Sequence, residues 1–251
     1  MGWVEVRCFM MYLRSILQEL SMPNHVLLAC MPKSGSSFLS SAIAALPAFN
    51  LAVLTPYWGG REQEIEDPYL VEAAKIGNYV AQHHTRYSGH TRAMMDKHNL
   101  SVVVLVRNIF DVVPSFVDHH RNTSIEHPMA FVPEGSGDWP FEKAARFVTS
   151  MMIPWYFNFY ASWYAVPDKI LVKYEDWIAQ PDKVLSGICK RMNIDVSSQD
   201  VSDAIATTTN TTPRKNTISP GRGATLPADC VDHIRTMAKF YEGIDFSPIG
   251  L

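Results

Sequence analysis

Near the start of the chain lies the segment Val26-Leu27-Leu28-Ala29-Cys30-Met31-Pro32-Lys33-Ser34-Gly35-Ser36-Ser37. Its first six residues are apolar and have the length of a buried strand, small and hydroxylated residues follow, and helical periodicity begins near Ser36. A strand, a turn and a helix in this order direct backbone N–H groups and the positive end of a helix dipole at one point, which favours an anion. Lys33 adds a positive charge, and the hydroxyl groups of Ser34, Ser36 and Ser37 are further donors. The segment therefore predicts a loop that binds the charged end of a nucleotide.

Two other interpretations of this loop give it a purely structural role or place it in a different class of enzyme. In one of them, Ser34 or Ser36 only caps the helix and Gly35 only makes the turn. In the other, the loop belongs to an ATP- or GTP-dependent kinase, whose pattern is G-x-x-x-x-G-K-[ST]. Here Lys33 precedes Gly35, and the first glycine of that pattern is missing. The sequence therefore disfavours an ordinary kinase.

The composition indicates a folded domain. Of the 251 residues, 47% are hydrophobic and 19% are charged, and a formal net charge of −3 predicts no nucleic-acid partner. The four cysteines are widely separated, which is typical of reduced thiols and favours a cytoplasmic location. No apolar stretch reaches the roughly 18 residues that a spanning helix needs, so we expect no membrane span. Residues 1–23 suit an amphipathic helix or an N-terminal extension.

Apolar runs of strand length alternate with helical patterns along the chain. The apolar runs cover residues 26–31, 49–54, 78–82, 101–106 and 169–173. Helical periodicity covers residues 36–46, 68–76, 90–98, 110–119, 141–164, 182–192 and 228–241. This alternation predicts an α/β fold of three layers like that of P-loop nucleotide-binding proteins, in which helices cover both faces of a mostly parallel central sheet. We expect residues 1–251 to form a single domain.

Two long segments interrupt the alternation. Residues 121–140 contain three prolines and two glycines and lie before the long helical pattern. Residues 207–227 are rich in threonine, glycine, proline and arginine and precede the last helical pattern. Long ordered loops are often functional, so we expect both segments to contribute to a site.

A second segment with chemical content is Val103-Val104-Leu105-Val106-Arg107-Asn108-Ile109-Phe110-Asp111-Val112-Val113-Pro114-Ser115. Arg107 falls at the end of a buried strand, where open α/β sheets bind ligands, and its planar fork of donors suits a phosphate. Ser115 lies about two turns into the following helix. The alternative is that Arg107 forms an ion pair with Asp111 and stabilises the helix start, and the two roles can coexist.

Together the two segments resemble the sulfotransferases that use 3′-phosphoadenosine-5′-phosphosulfate (PAPS). Residues 32–39 resemble that family's P-K-S-G-T-T-W-L loop for the 5′-phosphosulfate, and residues 107–115 resemble its R-N-x-x-D-x-x-x-S signature. The resemblance assigns the 5′-phosphosulfate to Lys33, Ser34, Gly35, Ser36 and Ser37. It assigns the 3′-phosphate to Arg107 and Ser115. Phe38 replaces the family's tryptophan, and a phenyl ring can still stack on adenine.

The resemblance continues in the family's order over about residues 24–242. The segment Lys173-Tyr174-Glu175-Asp176 matches a Y-E-D segment, which implies that Tyr174 lies near the adenine, although such a tyrosine is more often a core aromatic. Residues 207–227 stand where the family has a basic loop that covers the nucleotide. The preferred contacts to the 3′-phosphate in this loop are Arg214 and Lys215, with Arg222 as a competitor.

Sulfuryl transfer needs a cation at the leaving phosphate and a base for the acceptor's proton. Lys33 suits the first role. Aligning the family's K-T-H segment with Gln82-His83-His84 makes His84 the candidate base, and strand alternation directs the neighbouring His83 to the opposite face. One of the two histidines is then structural, and His83 stays the alternative candidate for the base. Gln82 stands where the family has a lysine, so a donor is lost or is supplied by another residue such as Arg86.

The leading hypothesis is therefore a PAPS-dependent sulfotransferase that acts on a hydroxyl or an amine and releases 3′-phosphoadenosine 5′-phosphate (PAP), without a metal. A small molecule, a glycan or a lipid is an admissible acceptor, residues 121–140 are its expected loop, and the oligomeric state stays open. The alternatives are a nucleotide-dependent kinase and, because of Gln82, a PAPS- or PAP-binding module that has lost catalysis. The spacing of His119, His120 and His127 fits no standard zinc site, and the acceptor pocket is the better place for them. The aromatic candidates for the same pocket are Trp139, Trp155 and Tyr156, although the aromatic residues of 154–164 suit the core equally well.

Overall fold

The computed structural model of the protein describes residues 23–56, 64–122, 129–211 and 220–251. In these residues, five strands form one sheet in which every neighbouring pair is parallel, in the order β2-β3-β1-β4-β5. The strands are β1 (His25–Cys30), β2 (Phe49–Ala52), β3 (Asn78–His83), β4 (Leu100–Val106) and β5 (Ile170–Lys173). The predicted α/β fold with a parallel sheet is confirmed. The prediction that residues 1–251 form one domain stays a prediction, as does that for residues 1–23, of which 1–22 lie outside the described residues.

Helices follow or connect these strands. They are α1 (Ser36–Ala44), α2 (Asp67–Ala74), α3 (Gly89–His98), α4 (Ile109–Asn122), α5 (Phe141–Phe147), α6 (Ile153–Tyr164), α7 (Tyr174–Ala179), α8 (Pro181–Arg191), α9 (Ser198–Thr211) and α10 (Ala228–Ala238). Short 3₁₀ turns occur at Ser136–Asp138, Arg222–Thr225 and Ser247–Ile249. In the part of the chain that the structure describes, no helix combines the length and the apolar character needed to cross a bilayer.

Two apolar cores cover the two faces of the sheet. Residues Val26 to Cys30 of β1 are all fully buried, and because successive side chains of a strand point to opposite faces, they alternate between the two cores. Helices α2 to α6 and α10 pack on one face, which also carries Leu27 and Ala29. Helices α1 and α7 to α9 pack on the other, which carries Leu28. The arrangement gives the three predicted layers.

The parallel sheet collects the ends of four strands at one edge. The predicted anion loop follows β1, His84 follows β3, Arg107 follows β4 and Tyr174 follows β5. Since ligands of open α/β sheets bind outside the carboxyl ends of the strands, this edge is where a site is expected.

Two predictions differ from the structure in detail. The predicted helix over residues 141–164 is helical throughout, but a π-helical turn, Val148–Met152, interrupts its α-helical geometry between α5 and α6, just before Pro154, which has no backbone N–H to donate. The segment 207–227 is not a loop throughout, because its first five residues complete α9. Val201, Ala204 and Thr208 are buried there, and the packing of that face overrides the weak helix propensity of threonine.

Candidate active site

The loop after β1 has a backbone shape that only certain residues accept easily. Lys33 and Gly35 both have positive φ angles, 65° and 76°, and α1 begins directly afterwards, so the positive end of its dipole lies at the loop. The hydroxyl of Ser34 donates to the Met31 carbonyl, and Tyr156 donates to the Pro32 carbonyl at 3.0 Å. Helix α1 has no side-chain cap, so the alternative in which a serine caps it is wrong.

The serines of the loop differ in exposure. Ser34 is fully buried and its hydroxyl donates to the Met31 carbonyl, so the loop itself uses this donor. Ser36 is 6% exposed. Ser37 is exposed on the first turn of α1. Phe38 is 7% exposed, with its ring centroid 5.0 Å from that of Trp177. The ring of Phe38 is thus mainly core, and its predicted contact with adenine stays a prediction.

Gly35 lies directly against the ring of Tyr174. A Cβ at Gly35 would be 3.0 Å from two ring carbons of Tyr174, which is tighter than most Cβ contacts, so the ring would have to shift. Tyr174 is 5% exposed, and its other neighbour is Arg107, whose Cζ lies 4.3 Å from the ring centroid. Tyr174 is therefore a buried residue of the site that packs against both the anion loop and Arg107.

Replacement of Gly35 by alanine is expected to weaken binding of PAP, the nucleotide that the sequence resemblance implies, by roughly tenfold or more, because backbone strain at a positive φ costs about 1–3 kcal/mol and the new methyl displaces Tyr174. Calorimetric titration with PAP measures the effect. Gly187→Ala is the matched control, because Gly187 lies within α8 and its added Cβ would meet nothing within 4 Å. Equal affinities for the two variants would contradict the prediction.

Arg107 is held at the end of β4 beside the loop. It is 4% exposed, and its Nη1 donates to the Lys33 carbonyl at 2.7 Å and to Ser115 Oγ at 3.2 Å. Its buried Nε has no hydrogen-bond partner among the described residues. The alternative ion pair with Asp111 is not formed, because both carboxylate oxygens of Asp111 accept backbone N–H groups, of Gly221 at 2.7 Å and of Gly223 at 2.6 Å. The structure therefore brings Arg107, Ser115 and the anion loop together.

The ends of β4 and β5 are joined by a side-chain hydrogen bond. The backbone N–H of Asn108 donates to Glu175 Oε1 at 2.9 Å, and Asn108 Oδ1 accepts the N–H of Phe110 at 3.0 Å, in the first turn of α4. Glu175 belongs to the Y-E-D segment. This contact fixes the spacing between Arg107 and Tyr174.

The two histidines at the end of β3 have different environments. His83 Nε2 accepts the backbone N–H of Leu54 at 3.0 Å, and burial, with a smaller effect of His84, lowers the pKa of His83 to about 4. His84 Nδ1 lies 2.9 Å from the Cys30 carbonyl, which can only accept, so the neutral His84 ring carries its proton on Nδ1 and its lone pair on Nε2. This geometry gives His83 a structural contact and leaves His84 with the tautomer of a base.

Gln82 is turned toward α1. Its Oε1 accepts from Ser40 Oγ at 3.2 Å, in the same core layer as its register partner Leu28. Arg86, the suggested replacement for the missing lysine, is exposed. The predicted contacts Arg214 and Lys215 lie outside the described residues.

Lys33 is surrounded by charged and titratable groups. Burial, followed by the positive charge of Arg107, lowers the pKa of Lys33 to about 8, and Asp118 partly opposes this by raising it. Burial, Lys33 and His120 lower the pKa of His119 to about 4. Asp118 was not a candidate from the sequence. The signal that could have found it is its position three residues after Ser115, which places both side chains on the same face of α4.

The remaining candidates for the acceptor side are mostly structural in the described residues. His120 Nε2 lies 2.6 Å from Ser136 Oγ, while Trp155 and Tyr156 are 8% and 0% exposed and belong to the core. Trp139 packs edge-on against Phe147, with 5.5 Å between ring centroids. Within the described ranges, no three histidine, cysteine or acidic side chains are grouped as a metal site would require.

A parallel five-stranded sheet covered by helices on both faces, in which the loop after the central strand leads into a helix, has the architecture of the P-loop-like class of α/β proteins. The family model described as the sulfotransferase domain matches residues 23–222, so the chain belongs to the sulfotransferase family. The predicted family is confirmed.

Solved structures agree on the fold. Mouse sulfotransferase SULT7A1, complexed with PAP, superposes with a TM-score of 0.64 at 14% identity, over 91% of this chain and 88% of that one. The sulfotransferase domain of the olefin synthase from Synechococcus PCC 7002 gives a TM-score of 0.51 at 16% identity, over 87% and 96% of the two chains. No curated protein sequence matches this chain.

Proposed function

We propose that this protein transfers the sulfuryl group of PAPS to a hydroxyl or an amine of an acceptor and releases PAP. The observation that carries the proposal is Arg107, buried at the end of β4 with its Nη1 bonded to Ser115 and to the anion loop, and with its Nε lacking a protein partner among the described residues. Two anion-binding elements, the loop after β1 and Arg107 with Ser115, therefore adjoin. A nucleotide with separate 5′ and 3′ phosphates is a ligand that uses both.

In the proposed reaction, the acceptor oxygen or nitrogen forms a bond to sulfur while the bond between sulfur and the 5′-phosphate oxygen breaks. The acceptor's proton passes to Nε2 of His84, whose Nδ1–H is held by the Cys30 carbonyl. The negative charge that develops on the leaving phosphate is stabilised by Lys33 and by the loop at the start of α1. His83 takes no part, because its Nε2 is used by the Leu54 N–H.

We propose a small molecule, a glycan or a lipid as the acceptor, with residues 121–140 contributing to its pocket. We also propose a cytoplasmic location, in keeping with the free thiols of Cys30, Cys189 and Cys230 in the described part of the chain.

A second candidate function is a PAPS- or PAP-binding module without catalysis. It is favoured by Gln82, which stands where the family has a lysine and whose side chain is bonded to Ser40. This candidate shares the donor site with the first but predicts no transfer to any acceptor. A kinase has no comparable support in a chain of the sulfotransferase family.

Calorimetric titration of the purified protein with PAP, and in parallel with ATP and Mg²⁺, tests the donor site. Binding of PAP in preference to ATP supports the proposal, and the absence of PAP binding contradicts it. Transfer of radiolabelled sulfate from PAPS to a panel of phenols, alcohols, sugars and amines then distinguishes the two candidates.

The pH dependence of PAP binding tests the role of Lys33. Because burial and Arg107 lower the pKa of Lys33 to about 8, the free protein holds this charge below that pH and loses it above. We expect the association constant for PAP to fall by up to about tenfold per pH unit as the pH rises above 8. Lys33→Arg keeps its charge throughout the range and is expected to remove the decline. A wild-type affinity that is constant up to about pH 9.5 would contradict this role.

A further inference from the structure

One face of α4 holds three separate parts of the donor site. Asp111, Ser115 and Asp118 are spaced by four and three residues, so they lie on the same side of the helix. Asp111 binds the segment that begins at Gly221, Ser115 binds Arg107, and Asp118 binds Arg222. Ser115 belongs to the predicted signature, whereas Asp118 does not.

The first of these contacts anchors the segment 220–226 to the start of α4. Both carboxylate oxygens of Asp111 accept N–H groups of this segment, from Gly221 and Gly223. Gly223 approaches so closely that a Cβ there would be 2.5 Å from the Cβ of Phe110. The segment is therefore fixed at a short distance from α4, and this places Arg222 next to the following turns of the helix.

The third contact is an ion pair at Asp118, about two turns further along α4 than Asp111. Arg222 Nη2 lies 2.6 Å from Asp118 Oδ2, and the two side chains are 24% and 38% exposed. Asp118 also interacts electrostatically with Lys33 of the anion loop. The Asp118 carboxylate is thus paired with the arginine of the segment anchored by Asp111, and its negative charge favours the positive charge of Lys33.

We propose that Asp118 is a positioning residue of the donor site, which keeps Lys33 in its charged form and is itself partly neutralised and held by Arg222. The need for it follows from the surroundings of Lys33, since Arg107 repels a second positive charge nearby. The inference rests on the proposed function, because it assumes that Lys33 meets the phosphosulfate.

The groups facing Lys33 among the described residues set the direction of each expected change. Arg107 at the end of β4 opposes the charge of Lys33, and Asp118 on α4 favours it. His119 on α4 interacts with Lys33 and has its pKa lowered to about 4, so it is neutral above that pH. Arg222 acts through Asp118. Removal of Asp118 therefore destabilises the charged lysine, and removal of Arg222 stabilises it.

The experiment measures PAP affinity by calorimetry from about pH 7 to 9.5 for the full chain and two variants. With Asp118→Asn, the alkaline decline in affinity is expected to begin about half a pH unit or more lower than in the wild type. With Arg222→Gln, it is expected to begin at a higher pH, because Asp118 then acts on Lys33 without its partner. Opposite shifts from the two halves of one ion pair are the signature of the proposed arrangement.

Asp96→Asn is the matched control, because Asp96 forms an exposed ion pair with Arg92 at 2.7 Å on α3 and is expected to leave the pH profile unchanged. A purely structural role of Asp118 would lower the melting temperature or the affinity equally at every pH, and that result overturns the inference. So do shifts in the same direction for both variants. If the wild type binds no PAP, the proposed function itself fails. If it binds PAP with an affinity that declines at alkaline pH, and Lys33→Arg removes that decline, the proposed function stands and the two variants test only the role of Asp118.

Discussion

Replacement of Arg107 by alanine is expected to weaken PAP binding on the order of a hundredfold or more, the largest effect on donor affinity that we expect from a single substitution. A charged group that meets a phosphate in a buried site contributes several kcal/mol, and about 1.4 kcal/mol corresponds to each factor of ten. Arg107 is 4% exposed and already oriented by Ser115 and by the Lys33 carbonyl, so little order has to be gained on binding. Calorimetric titration with PAP gives the affinity directly.

The same residue also supports the fold of the loop, so a control must separate the two effects. Arg107 contributes a hydrogen bond to the loop carbonyl and a cation–π contact to Tyr174, both of which alanine removes. Ser115→Ala leaves these two contacts in place and removes only one hydroxyl next to Arg107, and we expect it to weaken PAP binding by roughly five- to tenfold. If Arg107→Ala retains its melting temperature and binds PAP as tightly as the wild type, Arg107 is not a phosphate ligand.

The sequence predicted the general location of this site because the site depends on strand ends. In a parallel sheet, the residues after β1, β3, β4 and β5 meet at one edge. An apolar run of strand length that is followed by Lys33 or Arg107 is therefore enough to place each of these residues at that edge. Alternation along a strand also predicted that His83 and His84 point to opposite faces, although the preference for His84 as the base came from the family resemblance and stays a prediction. These predictions needed no knowledge of how distant segments pack.

The parts that the sequence did not predict depend on such packing. Asp118 pairs with Arg222, which is remote in the chain, and no local pattern links the two. Helix α9 contains several threonines, which usually disfavour a helix, but Val201 and Ala204 are buried in the core on one face of the sheet, and this packing outweighs the local propensity. Asp111 is a similar case, since the local expectation was an ion pair with Arg107, and the observed partners are the N–H groups of a distant segment.

Replacement of His84 by alanine is expected to reduce the rate of sulfuryl transfer by about 10²- to 10⁴-fold, which is the usual contribution of a general base, while the affinity for PAP changes by no more than about twofold. The separation follows from the hydrogen bonds, because His84 is held through Nδ1 by the Cys30 carbonyl, forms no hydrogen bond with Arg107 or Ser115 among those of the described residues, and has Nε2 as the nitrogen that accepts a proton. Transfer from radiolabelled PAPS to any acceptor identified in the panel, together with a PAP titration, measures both quantities.

His83→Gln is the matched control for this experiment, because an amide oxygen can still accept the N–H of Leu54. It is expected to leave the rate within a few-fold of the wild type, since His83 is buried and its pKa is lowered to about 4, so it cannot take up a proton readily near neutral pH. A His83 variant that loses transfer while the His84 variant retains it would reverse the assignment of the base. If the wild type binds PAP but transfers sulfate to no acceptor, and His84→Ala changes nothing, then the binding-module function is the correct one. In that case Gln82→Lys, which restores the lysine that the family has at this position, is the first variant to test for transfer.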